Sequence, residues 1–261
     1  VPRSRKSACA RITFEVDVSN TSAVTVTLKA GAVTTSRSTG VNRTRNFIFS
    51  IPNDITVPVK SDGKATFSEI KIYEGTYVNQ TFTVDSNNPT QKFILPNSGI
   101  DTDLISVIVR DTAGSTVSRK FDMFESLFDV TKSTRAFFLQ EISQERYELL
   151  FGDGIFGVKL ENSNFVEASY ITCNGAEANN ISNFNFIGNL VSNNGATISS
   201  GVSVITTDET SGGGKAIESV ESVKKYAPQI YASQNRAVTA ADYEALIPQV
   251  YPEAESVSAF G

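Results

Sequence analysis

Arg11-Ile-Thr-Phe-Glu-Val-Asp-Val18 alternates polar and apolar side chains residue by residue, and Val24-Thr-Val-Thr-Leu28 repeats the pattern after a turn. Neighbouring side chains on a strand point to opposite faces, so this period of two sets one face on a core and the other in water. A helix would scatter the same apolar residues around its circumference. Phe47–Ile51, Ile55–Val59, Ala65–Tyr73, Thr81–Val84, Lys92–Leu95 and Ser106–Arg110 continue the series, with Asp62-Gly63 as a hairpin turn. Branched and aromatic side chains dominate these runs because they suit a half-buried pleated surface. The expectation for residues 1–120 is a β-sandwich or distorted barrel.

Residues 121–210 read as a second β region. Phe124–Phe128 reads as a brief helical turn or a strand link. Ala136–Ile142, Tyr147–Phe151, Phe156–Leu160 and Asn164–Ile171 suggest an antiparallel meander, and Phe184, Phe186 and Ile187 read as apolar anchors in an Asn-rich stretch. Phe151-Gly-Asp-Gly-Ile-Phe-Gly157 fits GxGxxG, but a dinucleotide loop must lead into a helix. The extended continuation makes a tight glycine turn the better reading.

Residues 211–261 change character. Gly212, Gly213 and Gly214 resist ordering entropically and read as a hinge. Ala216–Tyr226 then carries Ile217, Val220 and Val223 on one helical face, bounded by Pro228. Thr239 with Asp242 three residues on reads as a capping pair for a second helix, with Tyr243, Leu246 and Ile247 as its buried stripe and Pro248 as its stop. Val250–Gly261 reads as extended chain. Taken together, the expected fold is mainly β with a small α-helical C-terminal part. The lack of an initiator Met and the stop after Ser256-Val-Ser-Ala259 suggest a segment of a longer chain at both ends.

Composition narrows the chemistry. The net charge of −5 is scattered, which disfavours a nucleic-acid partner. No apolar run approaches the roughly 20 residues that span a bilayer as a helix. The chain has no histidine, which removes Ser-His-Asp and Cys-His nucleophile activation and histidine zinc sites from these residues. Cys9 and Cys173 leave a disulfide open, with two buried thiols in a reducing compartment the simpler reading. Gly212-Gly-Gly-Lys215 lacks the Ser/Thr and the leading glycine of a phosphate loop. Asp101 with Asp103, and Asp122 with Glu125, lack the ligand density of a calcium loop and read as solvated turn residues. No catalytic, cofactor or metal residue is therefore expected, and the chain reads as a non-enzyme. Tyr226, Tyr231, Tyr243 and Tyr251 around Arg236 have the composition of either a core or an interface.

The run Tyr226-Ala-Pro-Gln-Ile-Tyr-Ala-Ser-Gln-Asn-Arg-Ala-Val-Thr-Ala-Ala-Asp-Tyr-Glu-Ala-Leu-Ile247, with Tyr251-Pro252 and Glu255-Ser-Val257 after it, resembles the baseplate J-like family of contractile tails, in particular the wedge proteins of T-even-type bacteriophages. Tyr147–Glu161 resembles a second block of that family, and Val1–Ala10 with Leu28-Lys-Ala-Gly31 resembles its more divergent N-terminal portion. The resemblance implies a virion structural protein, assembled in the host cytoplasm, that pairs with itself and joins other wedge subunits in a ring around the hub. It favours an interface for the tyrosine segment, and it implies no cofactor, no membrane, no nucleic acid and no small-molecule substrate. The main competing expectation is a phage adhesion or receptor-binding β-domain, which calls for an exposed aromatic platform on a loop. A carboxylate-dependent hydrolase calls for converging acids that the sequence does not signal.

Overall fold

The computed structural model describes residues 4–39, 44–124, 127, 130–233, 236–250 and 257–260. Strands make up 46% and helices 10%, so the chain is mainly β with a short helical C-terminal part. It divides into two units: the first extends to Ala216 and the second begins at Ile217.

Seen along the first unit, the strands are β1 (Cys9–Asp17), β2 (Thr25–Leu28), β3 (Gly31–Thr39), β4 (Thr44–Ile51), β5 (Ile55–Pro58), β6 (Lys64–Glu74), β7 (Thr76–Thr83), β8 (Phe93–Leu95) and β9 (Ser106–Arg110). They continue with β10 (Ser118–Met123), β11 (Ala136–Ile142), β12 (Arg146–Phe151), β13 (Phe165–Thr172), β14 (Asn185–Phe186), β15 (Leu190–Ser192), β16 (Thr197–Ile198) and β17 (Thr206–Gly212). A six-stranded sheet in the order β14-β3-β4-β6-β1-β17 curls into a half-barrel. A four-stranded sheet, β16-β15-β2-β5, contributes Val26, Leu28 and Leu190 to the same core. The seven-stranded sheet β7-β13-β9-β10-β11-β12-β8 forms a nearly closed barrel around a second core.

The alternation in β1 works as read. Ala10, Ile12, Phe14 and Val16 are buried, while the residues between them are more exposed. Its partner β6 keeps the same face inward by a bulge. Ser68 and Glu69 are both exposed, Glu69 takes φ 49°, and the inward series shifts from Phe67 to Ile70. The Thr13 hydroxyl accepts the freed Glu69 amide at 2.9 Å. An extra residue restores the register that a strict period of two would lose. Phe14 stacks on Phe67 with ring centroids 4.8 Å apart and meets Phe186 at 5.0 Å. Burying a side chain of this size contributes about 1.5–3 kcal/mol.

Gly75 is the corner between the two sheets. The chain runs from β6 in one to β7 in the other through φ +133°, and a Cβ here would lie 2.4 Å from the Thr172 carbonyl oxygen. The second barrel closes by side chains where its ladder stops. Phe82 of β7 packs edge-on against Phe93 of β8, and rings Phe93, Phe151 and Phe121 extend the row. Tyr170, fully buried, donates from its hydroxyl to Asn97 Oδ1 at 2.6 Å, and burial pushes its pKa up to about 12.

Several expectations change in position. The boundary read at residue 120 lies within β10 and that at 210 within β17, because β8 and β9 share a sheet with β10–β13 and β17 pairs with β1. β11 and β12 form an antiparallel hairpin, but β13 then inserts between β7 and β9 instead of continuing beside β12. Phe156–Leu160 is no strand: only Lys159 bridges, to Gly152. Phe184 and Phe186 pack on the first core as anchors, with Phe184 edge-on to Phe49, whereas Ile187 is 49% exposed. Phe124–Phe128 lies partly outside the described residues.

Candidate functional site

The C-terminal unit holds the residues that the sequence singles out. Helix α1 spans Val220–Ser233 and α2 spans Ala240–Val250, and the two pack together. α1 runs through Pro228, so this proline does not end the helix. An interior proline forgoes one backbone hydrogen bond, yet the helix carries on for another turn beyond it. α2 likewise continues past Pro248.

The start of α2 forms as its sequence requires. The Thr239 amide donates to Asp242 Oδ2 at 2.8 Å, and the Asp242 amide donates back to Thr239 Oγ1 at 3.2 Å. The Val238 amide adds a third bond to the same carboxylate at 3.1 Å. These backbone donors hold the Asp242 carboxyl below its usual range. The pair therefore caps the helix reciprocally.

The apolar side chains of this unit face outward more than the sequence suggests. Tyr231 is 87% exposed, and Val238, Val220 and Phe260 are also exposed. Tyr243, expected in the buried stripe, is 47% exposed, while Leu246 and Ile247 are half-buried. Arg236 is exposed. Tyr226 lies in α1 with its side chain outside the described residues, and Tyr251 is outside them altogether. Exposed aromatics held on a short two-helix frame can bury area against another surface with little loss of side-chain freedom.

Gly212–Gly214 is not a free joint. Gly212 ends β17, Gly213 takes φ +75°, and Gly214 is buried with its amide donating to Asn179 Oδ1 at 2.9 Å. Asn179 returns a bond to the Gly214 carbonyl, and a Cβ on Gly214 would lie 2.4 Å from the Gly175 carbonyl oxygen. The glycines serve close packing there. Lys215 next to them is tied to Lys6 by two backbone hydrogen bonds.

Asp101, read from the sequence as a solvated turn residue, is instead buried in a clasp in the first unit. Asp101 is 4% exposed and caps a 3-10 turn at Thr102–Leu104, accepting the Asp103 amide. It also accepts the Ser7 amide at 2.8 Å and faces Lys6 Nζ at 3.4 Å. Burial pushes its carboxyl above the ordinary range against the pull of Lys6 and the Ser7 amide. Arg5 pairs with Glu145 at 3.1 Å, and buried Glu74 accepts both the backbone and side-chain N–H of Asn174. Burial raises Glu74 as well. The Asp-Thr-Asp spacing was the available signal for the cap, but its burial depends on Ser7, remote in sequence. Asp122 is exposed, and Glu125 lies outside the described residues.

The remaining motifs carry structure. Asp153 Oδ1 accepts the amides of Ile155 and Phe156, each at 2.8 Å, and Gly154 and Gly157 take positive φ, so the GxGxxG run is a tight turn. Cys9 and Cys173 are free, and burial pushes both thiols up, which keeps them protonated and weakly nucleophilic. Among the described residues, no group of three or more Cys, Asp or Glu could hold a metal ion, and no helix is long and apolar enough to cross a membrane. No model of a known protein family matches the chain, and no curated protein matches it either.

Proposed function

We propose that the chain is a structural part of a contractile phage tail baseplate, a wedge component that associates with itself and with neighbouring wedge subunits around the hub. The observation that supports this most is the exposure of aromatic side chains in the C-terminal unit. Tyr231 and Tyr243, which fall in the segment resembling the baseplate J-like family, are both turned to solvent. Large exposed apolar side chains are favourable mainly where a partner covers them. The tail baseplate of the virion is the matching location, with assembly in the host cytoplasm. No catalytic step is assigned, and the first barrel and its neighbour act as the frame.

Light scattering across a concentration series tests the proposal. The mass is expected to rise towards a dimer, and Tyr231→Ala with Tyr243→Ala should shift that rise to about 10-fold higher concentration or beyond, equal to about 1.4 kcal/mol. A mass fixed at the monomer throughout would count against self-association through this face.

One observation favours the adhesion reading. Phe156 and Ile155 stand exposed at the tip of the turn that Asp153 braces, which is an apolar platform on a loop. On that reading Phe156→Ala lowers binding to host cells without changing the mass in solution.

A further inference from the structure

Beside the second barrel lies a cleft of about 300 Å³ with an apolar floor and a cationic rim. Val109 of β9 and Phe121 of β10 supply the buried part of the floor, and half-buried Val158 and Leu160 continue it. The volume is at the lower end of small-molecule sites, which span about 300–1,000 Å³. The floor is therefore large enough for a short aliphatic tail and little more.

The rim charges are not equivalent. Arg119 donates to both carboxylate oxygens of Asp111, one of them at 3.2 Å, so these two neutralise each other. Arg135 and Lys159 form no ion pair among the described residues, although both line the cleft. Among the lining residues Glu161 is the one opposing charge left, within electrostatic reach of Arg119, and Asp153 outside the lining lies within electrostatic reach of Lys159. Among the lining residues, two cations outside any ion pair against one carboxylate leave an excess of one positive charge, in a chain whose net charge is −5. A local excess of the sign opposite to the whole molecule attracts anions to that place.

We infer that this cleft binds a carboxylate carried on an apolar tail, with the tail on Val109, Phe121, Val158 and Leu160 and the carboxylate between Arg135 and Lys159. The arginine fork and the lysine ammonium both suit a carboxylate, and such charge-assisted bonds exceed neutral ones in strength. Two sources present this chemistry: a free aliphatic carboxylate, or the C-terminal carboxylate of a peptide ending in an apolar residue. The inference is independent of the baseplate proposal, since the residues lie in the first unit and not among the exposed tyrosines.

Amide chemical shifts of the whole chain at neutral pH, titrated with hexanoate and separately with hexanamide, provide the test. Hexanoate is expected to move the amides of Val109, Phe121 and Val158–Leu160 saturably, with a dissociation constant on the order of 1 mM. Hexanamide should bind about 10-fold more weakly, and so should hexanoate to the Arg135→Gln, Lys159→Gln double variant. Both side chains are exposed, and unchanged shifts elsewhere would verify that the variant keeps its fold. A second arm uses acetyl-Ala-Leu with a free carboxylate and its C-terminal amide. Tighter binding of the free-acid peptide than of hexanoate assigns the site to a chain end, and the reverse order assigns it to a free carboxylate. Equal binding of acid and amide, shifts confined to other regions, or no saturation with any probe would overturn the inference.

Discussion

The β unit encloses large apolar side chains fully, whereas among the described residues the helical unit encloses none. In the first, Phe14, Phe49, Phe67, Phe137 and Tyr170 are all but fully enclosed by the strands that carry them. In the second, Tyr231, Val238 and Phe260 are among the most exposed large hydrophobic side chains of the described residues. A sheet that curls encloses its own inner face, whereas two short helices offer each other one face and leave another open. The β unit thus encloses two cores of its own, and the helical unit leaves aromatic side chains in solvent.

The comparison can be broken most severely within the β unit. Phe14→Ala should cost about 3–5 kcal/mol, read as a lower urea midpoint, because the void sits against Phe67 and Phe186. A loss under about 1 kcal/mol would mean that the barrel core is loosely packed and the contrast is false. Gly75→Ala should cost about 3 kcal/mol or more, since the new Cβ meets the Thr172 backbone and φ +133° suits glycine alone.

A smaller effect comes from acid. Asp101 and Glu74 have folded pKa values raised above their unfolded ones, so the native state holds their protons more tightly. Their contribution to stability is full below the unfolded value of about 4 and is lost as pH rises through the raised folded value. Lowered Asp17, Asp111 and Asp153 act oppositely, losing their contribution as pH falls below about 4. Urea midpoints should therefore rise as pH falls through the raised folded values of Asp101 and Glu74 and fall again below about pH 4. Asp101→Asn should flatten the first limb, and an unchanged slope would remove Asp101 as its source.

The smallest effects separate the helical unit. Thr239→Ala should cost about 1 kcal/mol, visible as faster amide exchange in the first turn of α2. Tyr231→Ala should change stability by less than about 0.5 kcal/mol, because the side chain is not part of a core. A loss above about 1.5 kcal/mol would place that tyrosine inside the fold and erase the difference between the units.

What could be read in advance follows the same division. β1 and β2 were legible because one face is apolar and the other is not. β3 was not, because its inner face includes Thr34 and Ser36, buried hydroxyls that carry no hydrophobic signal. β17 was missed for a similar reason, being a polar edge strand whose pairing with β1 spans most of the chain. The capping pair at Thr239 and Asp242 was legible since all of its partners lie within one helical turn. The packing at the triple glycine was not legible, because the close approach of Gly175 that Gly214 serves is invisible in the local sequence. Of the tyrosine segment, composition gave two readings, and Tyr231 and Tyr243 are exposed, so neither is part of a closed core in the described residues.

The place of β1 between β6 and β17 has a consequence for biosynthesis. A ribosome delivers β1 and β6 early, but β17 only after the whole second barrel has been made. Until then one edge of β1 waits unpaired in the nascent chain, lined by Arg11, Thr13 and Glu15. Charged and polar side chains along a waiting edge discourage pairing with a stranger. The half-barrel is begun first and finished last, so a chain released before Thr206 leaves that edge of β1 without its ladder partner.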